Sequence, residues 1–112
     1  MAAQTMFVTL PLEDTLNLIY QAVVGGSVTG ELIDSYRVDS ADQKSCIINT
    51  YEKHYWRTGN RLTMTVMVDN MAGYTRVHTV SGGGGALIKF DWGASESFTN
   101  VVPQTLAPYL MR

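Results

Sequence analysis

The sequence predicts an α+β fold: an antiparallel β-sheet of about five to six strands, with an N-terminal and a C-terminal helix packed on one face. Three stretches carry that prediction. Leu12, Leu16, Ile19 and Val23 recur at helical spacing, and so do Phe98, Val101, Val102, Thr105, Leu106 and Tyr109. Between them, Leu62, Met64, Val66 and Val68 alternate with Arg61, Thr63, Thr65, Met67 and Asp69. Spacing of three and four marks one side of a helix, and spacing of two marks one face of a strand.

Met6 to Leu10 reads as a short strand stopped by Pro11, which has no N–H to give to a ladder. The helix that follows has Glu13 and Asp14 in its first turn, where the dipole favours acids, and Gly25-Gly26 is expected to end it in a left-handed stop. Val28 to Val38 reads as a strand, Asp39-Ser40-Ala41-Asp42 as a turn, and Cys46 to Trp56 as a long strand rich in β-branched and aromatic residues. Thr58-Gly59-Asn60 reverses the chain into the half-buried strand Arg61 to Asp69, and Asn70-Met71-Ala72-Gly73 turns it again into Tyr74 to Ser81. Four glycines, Gly82 to Gly85, then interrupt, and Ala86, Ile88 and Phe90 alternate on a last strand. Ser95 is the expected N-cap of the final helix, and Pro103 is expected to kink that helix or split it in two.

The order is β-α-β(4-5)-α. Consecutive strands joined by tight turns pair as a meander, and the helices must cover its apolar face. By analogy, a helix-grip or TATA-binding-protein-like packing is expected.

A chain of 112 residues with 46% hydrophobic residues is expected to form a single α+β domain over 1–112 and is not a disordered composition. The first residues carry no basic segment followed by an apolar one, and no apolar run approaches the ~20 residues that span a bilayer. A single cysteine, Cys46, excludes an internal disulfide and fits a reducing compartment, so the expected location is the cytoplasm, with no membrane partner. The net charge of −2 points to no charged partner, although it divides into −5 up to Gln43 and +3 from Lys44 onward. Such a division fits ordinary solvated faces first and self-complementary association second.

Tyr51-Glu52-Lys53, Gly59-Asn60-Arg61-Leu62, Ser81-Gly82-Gly83 and Lys89-Phe90-Asp91-Trp92-Gly93 follow one another in a recognisable order. On these segments the chain resembles a family of small uncharacterised bacterial proteins known as a domain of unknown function. The four-glycine run and Pro103 depart from the family pattern. The resemblance implies one domain and brings no activity, cofactor or catalytic residue.

Converging chemical groups are few. Cys46 and His54 share a strand, but eight residues at ~3.3 Å each separate them by roughly 26 Å, too far for a thiolate–imidazole pair. His54 and His78 meet only if their strands are neighbours, and two histidines without a third ligand make a poor metal site. Cys46 reads best as a small buried apolar residue. The glycine run, including Gly83 and Gly84, lacks the lysine and the following helix of a phosphate loop and reads first as a bulge or wide hairpin. Tyr51, Lys53, His54, Tyr55, Trp56, Arg57 and Arg61 gather aromatic and basic groups around one hairpin, but a slightly acidic protein argues against nucleic acid and for a protein contact. Asp91 and Glu96 suit a helix N-terminus, with Trp92 packed at the core edge.

The expected function is therefore a non-catalytic binding or assembly module without cofactor or metal. The alternatives are a homo-oligomeric structural protein and a small enzyme with a histidine base. Self-association is expected through a sheet edge or the aromatic hairpin. A small apolar ligand would need a groove walled by Met64, Val66, Ile88, Phe90, Phe98 and Leu106, residues that serve equally well as solid core. The candidate ligand-binding residues are His54, Trp56, His78, Gly83, Gly84 and Trp92.

Overall fold

A computed structural model describes residues 2–26, 29–55, 59–83 and 94–111. Strand β1 (Ala2–Val8) leads into helix α1 (Leu12–Tyr20), which widens into a π-turn over Gln21–Gly25. Strands β2 (Gly30–Asp39), β3 (Ser45–Tyr55), β4 (Asn60–Asp69) and β5 (Thr75–Gly83) follow, then helix α2 (Ala94–Leu106) and a 3₁₀ turn over Ala107–Tyr109. The sheet is antiparallel in the order β1-β5-β4-β3-β2, so the meander forms as expected and β1 returns to pair with its last strand. Helix α1 lies over β4, and α2 lies over β1 and β4 on the same side.

That side holds the core. Leu62, Met64, Val66 and Val68 of β4 are all buried, with Ile47 and Tyr51 of β3 and Val77 of β5 beside them. Leu12 and Ile19 of α1, Val23 of the π-turn, and Phe98, Val102 and Leu106 of α2 close over them. Each such side chain contributes about 1.5–3 kcal/mol by leaving water. Of the residues expected to wall a groove against the C-terminal helix, Met64, Val66, Phe98 and Leu106 are core residues. Ile88 and Phe90, and with them the expected last strand, lie outside the described residues.

The sheet's edges differ. The C-terminal segment reaches β1: Met111 N–H donates to Phe7 at 2.8 Å, Thr9 N–H donates to Tyr109 at 2.8 Å, and Leu110 bridges Val8. β2 is the outer strand on the other side, broken by an irregularity between Leu32 and Asp34 and carrying Glu31, Asp34, Arg37 and Asp39. Irregularity and charge together make an edge a poor template for another strand.

Several local expectations are corrected. Gly26 has φ −92°, so no left-handed stop ends α1; the helix relaxes into the π-turn instead. A side chain at Gly26 would press its Cβ within 2.9 Å of the Ala22 carbonyl oxygen, so close approach is what this glycine permits. Gly82 and Gly83 do not interrupt the sheet. They extend β5, opposite Thr63 and Leu62. Helix α2 begins at Ala94, ahead of the expected Ser95 cap, and runs through Pro103 as one element to Leu106. The loss of one backbone donor is not enough to end a helix whose Val102 and Leu106 are fully buried on either side of the proline.

The hairpin between β4 and β5 is tied at its base. Asp69, only 1% exposed, accepts from Arg76 Nε at 2.9 Å and Nη2 at 3.1 Å, and from the Met71 amide at 3.0 Å. The adjacent Asn70 takes the Ser45 amide on its Oδ1 at 2.8 Å and returns its own amide to the Ser45 carbonyl at 3.2 Å, while Gly73 supplies the φ of +92° that the turn requires. Asp69→Asn is expected to cost about 2 kcal/mol of unfolding free energy, and Arg76→Met is expected to be destabilising too, because it leaves a buried carboxylate with only the Met71 amide. Urea midpoints measure both; losses under about 0.5 kcal/mol would show that this corner does not depend on the pair.

Candidate functional site

The histidines do not converge. β4 lies between β3 and β5, and His78 falls in register with Ile48, six residues from His54. Two strand spacings and six residues place the two rings roughly 22 Å apart. His78 instead shares a 2.7 Å hydrogen bond between its Nδ1 and Thr5 Oγ1. Gly83 pairs with Leu62 at the end of β5, and Trp56, Gly84 and Trp92 lie outside the described residues. Tyr51, expected in an aromatic surface hairpin, is fully buried. Among the described residues no group of three His, Cys, Asp or Glu side chains is placed to hold a metal ion, and no helix is long and apolar enough to cross a membrane.

Two regions remain. The first is the face of the sheet away from the helices. Its residues form rows across all five strands: Thr5, His78, Met67, Ile48 and Tyr36 in one, and Phe7, Arg76, Asp69, Cys46 and Val38 in the next. Tyr36 is 61% exposed, Val38 47% and Phe7 39%, with the Phe7 ring edge-on to Tyr74 at 5.4 Å. Two ion pairs lie in this layer among the described residues, Arg76 with Asp69 at 2.9 Å and Arg61 with Glu52 at 3.0 Å, and Asp34, in register with Thr50, is exposed at its β2 edge. Cys46 belongs here, partly exposed, and not to the core as expected. Burial pushes its thiol above the ordinary value, the Asp69 charge pushes the same way, and Arg76 opposes them. A thiol so held is a poor nucleophile.

The second region lies on the helix side. Ser45, Ile47, Asn49 and Tyr51 alternate inward along β3, so the Asn49 amide sits between an aliphatic and an aromatic side chain. The Asn49 side-chain amide lies 3.4 Å from the Tyr51 hydroxyl, and its Oδ1 is buried without a hydrogen-bond partner among the described residues. Burial pushes the Tyr51 phenol up, the Asn49 contact lowers it, and the neighbouring Tyr20 phenol raises it again. None of the sequence candidates lies in this cluster. The signal was available: Asn49 is two residues from both Ile47 and Tyr51 and so shares their face.

Helices on one side of a five-stranded antiparallel sheet, with no described element on the other, define a two-layer α+β protein. The chain belongs to the family of unknown function DUF6054, whose sequence model matches residues 1–110. No curated protein and no solved structure matches it.

Two measurements check these surroundings. Cys46 should react with Ellman's reagent at pH 8 more slowly than a free cysteine; faster reaction would restore a nucleophilic role. Tyr51 has a folded-state value above the ordinary ~10, so its contribution to stability is complete below pH ~10 and is lost as pH rises through the folded value. In an alkaline titration followed by tyrosine absorbance, this phenol should ionise last, together with unfolding. Tyr51→Phe should remove that late step, and an unchanged curve would contradict the assignment.

Proposed function

We propose that the protein is a non-catalytic assembly module of the bacterial cytoplasm, a single domain whose sheet holds α2 in the helix-grip manner and pairs face to face with a second copy. The observation that carries this reading is the sheet face that no described element covers, with apolar side chains on its middle strands and two ion pairs already formed. Ile48, Met67 and Val80 are only partly buried there, and Tyr36, Val38 and Phe7 are more exposed still. Burying a charge is costly unless its partner goes with it, and the Arg76–Asp69 and Arg61–Glu52 pairs satisfy that condition before any partner arrives.

Size supports the same reading. Five strands about 4.8 Å apart, each with roughly nine residues rising about 3.3 Å, present about 700 Å² per copy. Two copies would bury about 1,400 Å², within the range of stable specific interfaces. Edge pairing is less favoured, because β1 is met by the C-terminal segment and β2 is acidic and irregular. The absence of converging nucleophile, base and acid among the described residues favours assembly over catalysis.

Sedimentation equilibrium over a range of concentrations tests the pairing. The wild-type chain should form a dimer, and Met67→Lys with Ile48→Lys should yield a folded monomer. A wild-type chain that remains monomeric at every concentration would remove this reading.

A further inference from the structure

We propose that pairing through the sheet face away from the helices is controlled by pH, with His78 as the group that sets it. Two copies pair when the imidazole is neutral and part when it is protonated. The inference rests on the face-to-face dimer proposed above. His78 belongs to the row that runs from Thr5 through His78, Met67 and Ile48 to Tyr36, across all five strands. Met67 is its register partner on β4, and both side chains are partly buried before any second copy arrives. Thr5 Oγ1 lies 2.7 Å from the His78 Nδ1. A hydroxyl donates to a neutral ring or accepts from a protonated one, so Thr5 holds the ring in both states and neutralises neither. Histidine is the ordinary side chain that gains charge between pH 8 and pH 5.

The charges around the ring decide what that gain does. On β5 itself, Arg76 is two residues away on the same face and is already bound to Asp69. On β4, Asp69 is one strand and two residues from His78, roughly 8 Å. Its carboxylate is 1% exposed and is taken by Arg76 and the Met71 amide. On β3, Glu52 is engaged by Arg61, His54 lies beyond it in register with Arg61, and the Cys46 thiol is held neutral. β1 presents Ala3, Thr5 and Phe7, none of them charged. Asp34 and Tyr36 stand on β2, three strands and roughly 14 Å away at the rim. A second copy brings the same groups. Pairing would therefore bury a protonated His78 with no free acid beside it, and an unpaired buried charge is strongly unfavourable. The neutral ring carries no such penalty. Each copy contributes one His78, so separation of the dimer takes up two protons and acid favours it.

Sedimentation equilibrium of the full-length protein at pH 7.5 and pH 5.5, at one ionic strength, tests this. The dimer dissociation constant should rise at least tenfold at the lower pH, with an unchanged far-ultraviolet circular dichroism spectrum. His78→Gln keeps an amide for Thr5 and cannot gain a charge, so it should pair equally at both values. His54→Gln should retain the wild-type dependence. The chain has two histidines, so His54→Gln carries the decision if His78→Gln does not fold. A wild-type dimer equally tight at both values, a dependence that survives in His78→Gln, or one that disappears in His54→Gln would overturn the inference and leave the dimer standing. A wild-type chain that is monomeric at both values would overturn the two together.

Discussion

The structure depends on the alternation of β4. It is the middle strand of the sheet, and its Leu62, Met64, Val66 and Val68 share one core with residues of both helices. A shift of one residue in its pairing would turn four large apolar groups out of the core, so its register is set by burial itself. The strands beside it inherit that register. β3 and β5 pair directly with β4, and β1 pairs in turn with β5. The fold is therefore ordered outward from one strand.

Register alone does not hold the corners, and polar groups finish the work. Asp69 and Asn70 are consecutive, and each reaches a different strand: Asp69 ties β5 through Arg76, and Asn70 ties β3 through Ser45. The carboxylate is buried yet accepts three donors, so its desolvation is compensated. This arrangement also explains the chemistry of the open face. The Asp69 carboxylate that organises the hairpin lies beside Cys46 in the same row and opposes formation of a thiolate there.

The sequence made the amphipathic elements legible and left their ends and their polar exceptions obscure. α1 and β4 could be read because each buries one side of a regular element, and burial writes its period into the residues. The end of α1 could not, because Gly25-Gly26 permits a left-handed stop without requiring one, and Gly26 serves instead to let the backbone come close to Ala22. Gly82 and Gly83 were misleading for a related reason: a glycine weakens a strand, but ladder pairing with Leu62 and Thr63 outweighs that cost at the end of β5. The candidate site was hidden by type. Histidine, tryptophan and glycine draw attention as functional residues, whereas the two groups that meet in the interior are an asparagine and a tyrosine on a strand with weak alternation.

That weakness bears on stability. The run Cys46-Ile47-Ile48-Asn49 offers an apolar residue to either face, so β3 has little preference of its own for which side Asn49 takes. The choice is imposed from outside, by the paired hydrogen bonds between Ser45 and Asn70 and by the register of β4. An inward valine or leucine at position 49 would continue the row of Ile47 and Tyr51 at no polar cost. An inward amide costs stability, because Tyr51 meets only one end of it and its Oδ1 has no partner among the described residues. Position 49 is therefore one where a single apolar substitution can raise stability without altering the fold.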